Sequence, residues 1–180
     1  FPGTEIRPAT PERDPQDRTA IEVVVPAGEE RERLRIEGLS QAALREFSTK
    51  TGVPPPPRVR LVFHPSVDAY ARASGKPWWT VGAASGNRID FVPLSVLRDR
   101  GLLERTLRHE LAHIVTCERL AGRPIWVQEA VAMNLSGDPR VAVAEQAAAG
   151  AGAVGHGLGS SGPIACPTDA EWNAIRSANA

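Results

Sequence analysis

The pattern of hydrophobic and polar positions predicts two β-strands in the first half of the chain: the first segment is a short β-branched run, and apolar and polar positions alternate in the second. The segments are AIEVVVPA at residues 20–27 and RVRLVFH at residues 58–64. Two more strands are predicted on either side of a Ser-Gly-Asn turn, in WWTVGAAS at 78–85 and RIDFVPL at 88–94. All four predicted strands therefore lie in the first 94 residues.

Apolar residues recur at helical spacing in most of the remaining segments. The first helix is predicted at 29–52, where Gly52 and four consecutive prolines end it, with an apolar face formed by Leu34, Leu39, Ala43, Leu44 and Phe47. A short helix is predicted at 65–75. The later helices are predicted at 102–120, from Pro124 to Gly137, and at 141–149.

Strands that cluster early and helices that cluster late are typical of the α+β class. Residues 1–19 carry four prolines and many charges without periodicity, which predicts an irregular arm before a single domain at 20–180. The stretch at 150–163 is glycine-rich and is predicted to be a loop. A helix-like pattern interrupted at Ala180 predicts that the domain continues beyond this residue.

Composition excludes several classes of function. Lys+Arg and Asp+Glu both total 21, so charge gives no reason to expect nucleic acid or an anionic membrane as a partner. No apolar run approaches the roughly 20 residues that a membrane span needs.

Two cysteines do not make a disulfide framework, but export of the protein would allow Cys117 to pair with Cys166. Two free thiols are the alternative, and the oligomeric state is left open.

Two of the four histidines lie four residues apart in RHELAHIVTCERL at 108–120. On a helix, His109 and His113 would be about 40° apart around the axis and roughly 6 Å apart along it. Imidazoles at this spacing can share a tetrahedral zinc ion. Glu110 borders the same face but is displaced enough to contact a water instead of the metal. The H-E-x-x-H pattern alone does not distinguish a metal site from a pair of core histidines. The presence of a third ligand decides between these two interpretations.

The third ligand is not of the metzincin type, which would need Gly and His where the chain has Thr116 and Arg119. A glutamate ligand would come from the following helix, where PIWVQEAVAMNL supplies Glu129. Fifteen residues separate it from His113, enough to finish one helix, turn and begin the next.

The predicted setting of this acid is apolar, since one helical face holds Trp126, Glu129, Ala130 and Met133. A carboxylate in such a setting is costly unless it is paired or bound to a metal. Glu118 is the competing acid, but on the first helix it would project about 140° away from His113.

HELAH, fifteen further residues and then WVQEAVA resemble the two motifs of the gluzincin zinc peptidases. The chain is similar in particular to peptidase MA-like domains, whose second motif usually reads W-L-x-E-G-x-A. The resemblance implies a zincin-like domain in which His109, His113 and Glu129 bind Zn²⁺ and Glu110 is the general base. It further implies an exposed edge strand beside the metal, expected at 80–85, where small side chains would let a peptide backbone approach.

Such a site would hydrolyse peptide bonds of a peptide or protein substrate. Zinc lowers the pKa of a bound water toward about 7, and Glu110 can take its proton and pass it to the leaving amine. The alternative function is an inactive, zinc-bearing binding module of a larger cell-envelope or sporulation-related protein. The five residues GHGLG at 155–159 resemble a motif of the SpoIID/LytB proteins.

The chain departs from the gluzincin pattern at several positions. Ala130 replaces the usual glycine, and Met133 stands where some relatives carry an acid that orients a histidine ligand. No tyrosine follows Glu129, and the single tyrosine of the chain is Tyr70. The oxyanion donor is therefore missing or lies beyond Ala180.

Three further residues have two interpretations each, and a fourth, His64, has one. His156 is a candidate catalytic donor, although an exposed loop histidine is the preferred interpretation. His64 is expected to be structural. Trp78 and Trp79 could line a cleft, but a place in the core is preferred.

Overall fold

The computed structural model describes residues 19–77 and 79–141 of the chain. Within these ranges, strands and helices follow in the order β1 (Ala20–Val24), α1 (Glu30–Thr51), β2 (Arg58–Phe63), α2 (Val67–Ser74), β3 (Gly82–Ser85), β4 (Arg88–Phe91), α3 (Leu94–Asp99), α4 (Leu103–Thr116) and α5 (Ile125–Ser136).

The strands form one small mixed sheet in the order β1-β2-β4-β3. β1 and β4 both run parallel to β2, whereas β3 runs antiparallel to β4. The prediction of an α+β fold with a mixed sheet and a largely helical second half is confirmed for the described residues. β3 lies at one end of the sheet and packs against α4, which confirms the predicted edge strand for residues 82–85 of the predicted 80–85.

One face of the sheet is apolar and is covered by α1 and α4. The register places Val23, Leu61 and Ile89 side by side, and all three are buried. The next pair along, Phe63 and Phe91, stacks with ring centroids 4.8 Å apart. Alternating strand residues thus build one continuous core with the helices.

α1 contributes its buried face to this core through Ile36, Ser40, Ala43, Leu44 and Phe47. The predicted bounds of this helix are confirmed, and Gly52 ends it with a φ of 66°. The prediction for Leu34 is wrong, because this side chain is 76% exposed. Ile36 defines the apolar face, and Leu34 points about 200° away from it around the helix.

The opposite face of the sheet carries a small polar cluster. The carboxylate of Asp90 accepts two hydrogen bonds from Arg88, at 2.9 and 2.7 Å, and lies 2.7 Å from Nε2 of His64. Burial disfavours the charged form of Asp90, but the hydrogen bonds from Arg88 and His64 outweigh burial and lower its pKa. These contacts support a structural role for His64.

Two elements differ from the predictions between residues 88 and 120. Val92-Pro93-Leu94 does not extend β4, because proline cannot donate to the ladder and opens the unpredicted helix α3, which buries Leu94 and Leu97. α4 ends at Thr116 and not at residue 120, and turns follow it. The hydroxyl of Thr116 donates to the carbonyl of Ala112, a bond that competes with the helical ladder.

α5 begins after Pro124 and ends at Gly137 as predicted, but its predicted apolar face is not the buried one. Ala130 is exposed, whereas Ala132, Leu135 and Ser136 are buried. The helix is apolar around most of its circumference, so its sequence does not define a single inward face.

Several predictions fall wholly or partly outside the described residues. These are the arm up to residue 18, Trp78, the helix at 141–149, the loop at 150–163, and the residues His156 and Cys166. Thr19 was assigned to the arm but is buried, and its carbonyl accepts a hydrogen bond from Gln41. Among the described helices, none has the length and apolar character that crossing a bilayer requires.

Candidate metal site

α4 carries the two histidines on the side that faces away from the core. Leu107 and Leu111 point inward and are fully buried, so His109 and His113 lie on the adjoining, partly exposed face. The two rings meet edge to face with centroids 4.8 Å apart, and their Nε2 atoms are 3.2 Å apart. The i, i+4 spacing therefore directs one nitrogen of each ring toward a common point.

α5 brings the third residue to the same point. The chain turns after α4, with Gly122 at a φ of 73°, and α5 then packs against α4. The carboxylate of Glu129 places Oε2 3.3 Å from Nε2 of His109 and Oε1 3.6 Å from Nε2 of His113. The predicted trio is thus brought together, with one donor atom from each residue within 4.8 Å of the others.

The trio fits a single metal ion. A tetrahedral ion with ligands at about 2.0–2.1 Å requires ligand atoms about 3.3–3.4 Å apart, which follows from the geometry of the tetrahedron. The observed separations of 3.2, 3.3 and 3.6 Å are near this value; the two distances to Glu129 involve different carboxylate oxygens, and one donor atom from each residue lies within 4.8 Å of the others. Two imidazoles and one carboxylate are ligands suited to zinc and to several other transition metals, so the donor set alone does not identify the ion.

The charges around His109 favour a cation at this position. Burial disfavours the protonated imidazole, but the hydrogen bond to Glu129 and the negative charges of Glu110 and Glu129 outweigh burial and raise the pKa of His109. The same two carboxylates would attract a metal ion. Nδ1 of His109 is buried without a hydrogen-bond partner among the described residues, so the orienting acceptor that the sequence leaves unassigned is not found in that part of the chain.

Glu110 lies beside the trio without belonging to it. Its residue exposure is 9%, and its side chain occupies the space where a Cβ atom of Gly82 in β3 would stand. The helix thus points Glu110 toward the sheet edge while both histidines point toward α5. Glu118, the competing acid, is exposed in the turn after α4 and is not part of the trio.

A cleft of about 610 Å³ opens over the trio. One wall is the segment that leads into and includes β3, and the other is formed by α4, the following turn and the start of α5. Trp79 lines this cleft and is 40% exposed, so the preferred core interpretation of Trp79 is wrong. It lies in a turn before β3 and not in the strand, because β3 begins only at Gly82.

Tyr70 and Cys117 stand in different relations to the cleft. Tyr70 is fully buried, and its hydroxyl lies 2.9 Å from Oγ1 of Thr80, which lines the cleft. Burial, together with the charges of Glu110 and Asp90, raises the pKa of this tyrosine. Tyr70 therefore supports the cleft wall from behind.

Cys117 is exposed in the cleft, whereas its predicted disulfide partner lies outside the described residues.

Comparisons with protein-family models, with curated proteins and with solved structures gave no match to this chain. The resemblance to gluzincins therefore depends on the two sequence motifs alone. The geometry of the trio is independent of that resemblance, because the fold brings His109, His113 and Glu129 together whatever family they belong to.

Proposed function

We propose that the protein is a zinc-dependent peptidase of the gluzincin type. The observation that carries the proposal is the convergence of His109, His113 and Glu129 on one point in a cleft, with Glu110 beside them but directed toward the sheet edge. A metal-binding trio with a separate adjacent carboxylate is the arrangement that metal-assisted hydrolysis needs.

In this proposal His109, His113 and Glu129 hold the ion, and Glu110 moves the proton. When bound, zinc supplies Lewis acidity that makes water a usable nucleophile near neutral pH and polarises a carbonyl group. The carboxylate of Glu110 accepts the proton released during attack and then donates it to the departing amine. The first transfer needs Glu110 to be ionised, the second uses the proton that it has accepted, and both need the carboxyl group close to the metal ligands.

β3 is the proposed place for the substrate backbone. It is an edge strand, it is four residues long, and its side chains from Gly82 to Ser85 are all small. An extended peptide that adds to this edge would run along the cleft beside Glu110. Substrate specificity would then come from residues on the cleft walls.

The test is peptide hydrolysis by the zinc-loaded protein, measured on a broad peptide library with and without a chelator. The proposal expects cleavage that the chelator abolishes and added zinc restores. Replacement Glu110→Gln keeps the shape of the side chain and removes the base, so we expect zinc to be retained and hydrolysis to fall by roughly 10²–10⁴-fold. Unchanged cleavage in this variant would locate the chemistry elsewhere.

A zinc-bearing binding module is the second candidate. It is favoured by one observation: among residues 19–77 and 79–141, the cleft is lined by no tyrosine and by no histidine other than the two in the trio, so no usual oxyanion donor is present there. A binding module tolerates Glu110→Gln without loss of function. Absence of cleavage by the zinc-loaded parent protein would favour this candidate.

A further inference from the structure

Gly82 faces Glu110 across the contact between the edge strand and the metal-site helix. In the antiparallel register Gly82 pairs with Phe91, so position 82 faces the covered side of the sheet. A Cβ atom at Gly82 would lie 2.8 Å from both Cγ and Oε1 of Glu110 and 3.0 Å from Cδ. Carbon atoms in favourable contact are about 3.5–4.0 Å apart, so a methyl group at position 82 fits only if the side chain of Glu110 moves.

The backbone conformation does not explain why position 82 is glycine. Seven of the nine glycines in the described residues have a positive φ, which favours glycine, but Gly82 is not among them. The other exception, Gly38, has open space where a Cβ would be. Within the described part of the chain, Gly82 is thus the one glycine whose missing side chain makes room for another residue, and that residue is Glu110.

Neither backbone is free to yield to a larger residue at position 82. β3 is held to β4 along its four residues, and α4 is fixed in the core by Leu107 and Leu111. The atoms in the way all belong to the side chain of Glu110, which is itself buried. A side chain at position 82 would therefore displace the carboxylate of Glu110 and leave the two histidines of the same helix in place.

We propose that Gly82 is a positioning residue for Glu110: it allows the edge strand to hold the carboxylate against α4 at a fixed place beside the metal ligands. The catalytic meaning of this contact depends on the proposed function, in which Glu110 is the base. The contact itself does not, and it can be tested without any activity.

The first test is a double-mutant cycle in thermal stability, with Gly82→Ala, Glu110→Ala and the two combined. We expect Gly82→Ala to lower the Tm by roughly 5–15 °C in the parent protein, the range expected of overpacking. In the Glu110→Ala background the same change should lower the Tm by less than about 3 °C, because the atoms that the methyl group would strike are gone. The matched control, Gly38→Ala, should not lower the Tm in either background.

Each outcome of the cycle either supports or overturns the proposal. Equal losses in both backgrounds, or no loss in the parent protein, would overturn the proposal. If Gly82→Ala alone does not fold, recovery of folding in the double variant supports the proposal, and failure of the double variant overturns it.

The second test measures zinc content and hydrolysis in Gly82→Ala. We expect one zinc ion per chain, as in the parent protein, with kcat lowered by roughly 10²-fold and KM little changed, because a misplacement of about 1 Å has such an effect on a catalytic group. Loss of zinc, or unchanged kcat, would contradict a role in positioning the base. If the parent protein does not hydrolyse peptides, the proposed function fails, and the stability cycle decides on the contact between Gly82 and Glu110.

Discussion

Arg108 connects the helices α1, α4 and α5, and its replacement by Met should destabilise the protein by about 2.5–3.5 kcal/mol. Its Nε donates to the carbonyl of Ser136 at 3.0 Å, one of the last carbonyls of α5, which have no partner within the helix. Its two terminal nitrogens donate to Glu46 of α1 at 2.9 and 3.1 Å. The guanidinium also lies 5.1 Å from the centre of the Phe47 ring.

The magnitude follows from these three contacts. A hydrogen bond from a charged group contributes about 1.5 kcal/mol or more. The ion pair with Glu46 contributes only about 0.5–1 kcal/mol, because the Glu46 side chain is 38% exposed and solvent screens the pair. The contact with Phe47 adds about 0.5–1 kcal/mol. Met preserves the apolar stem, so lost packing adds little to the sum.

The assay is urea denaturation of the parent protein, of Arg108→Met and of the control Lys50→Met. Lys50 also pairs with Glu46, at 2.6 Å. It is exposed, however, and it lacks the hydrogen bond to α5 and the cation–π contact with Phe47 that Arg108 makes. We expect Lys50→Met to lower the free energy of unfolding by less than about 0.5 kcal/mol. Arg108→Met should also weaken zinc binding, because α5 carries Glu129.

The pH dependence gives a further check of the same reasoning. The hydrogen bond from Arg108, with a smaller one from Lys50, lowers the pKa of Glu46 from 4.5 to about 2. A lowered pKa in the folded state stabilises the protein above pH 4.5, and this contribution is lost as the pH falls toward 2. The difference between parent and Arg108→Met should shrink over that window but not vanish, since the bond to Ser136 does not titrate. Equal stability of Arg108→Met and Lys50→Met at pH 7 would refute the argument.

The other predictions concern the ligands, the end of α5 and the cysteines. Glu129→Gln should weaken zinc binding strongly in isothermal titration, whereas Glu118→Gln should leave it unchanged; the reverse pattern would exchange their roles. Asp138→Asn should lower the free energy of unfolding by roughly 1–2 kcal/mol at pH 7, because hydrogen bonds from Arg140 hold the pKa of this buried carboxyl at about 2. That deficit should fade as the pH drops from 4 toward 2, and urea denaturation that finds it unchanged at low pH would contradict the assignment. If the protein is exported, Cys117 and Cys166 should be bridged in natively sourced material, and non-reducing mass spectrometry that finds two free thiols would end this idea.

The metal trio was predictable from the sequence because it depends on local regularities. Helical spacing fixes the relation of His109 to His113, and a visible turn followed by a new helix start places Glu129 within reach of both. The two strands around the Ser-Gly-Asn turn were predictable for a similar reason, whereas the edge position of the first of them beside the metal followed from the resemblance to gluzincins. Helical spacing did not predict which face of α5 is buried, because apolar residues are distributed around most of this helix.

The contacts that depend on packing between distant segments could not be predicted. Nothing near Gly82 in the sequence indicates that its missing side chain makes room for Glu110, 28 residues later. Trp79 has the large aromatic side chain that is typical of a core residue, but it lies in the turn before β3 and lines the cleft. Leu34 is an apolar residue at helical spacing, but it is exposed. Its position outside the core becomes clear only from the structure, where Ile36 lies on the buried face of the helix.

The most direct test of the account is crystallography of the zinc-soaked protein, with anomalous data collected on both sides of the zinc absorption edge. The account predicts one strong peak at about 2.0–2.1 Å from Nε2 of His109 and from Nε2 of His113, and at a similar distance from a carboxylate oxygen of Glu129. Glu110 should lie beside the ion without touching it. A peak bound elsewhere, a peak that Glu110 coordinates in place of Glu129, or no peak with the cleft accessible to solvent would contradict the central claim.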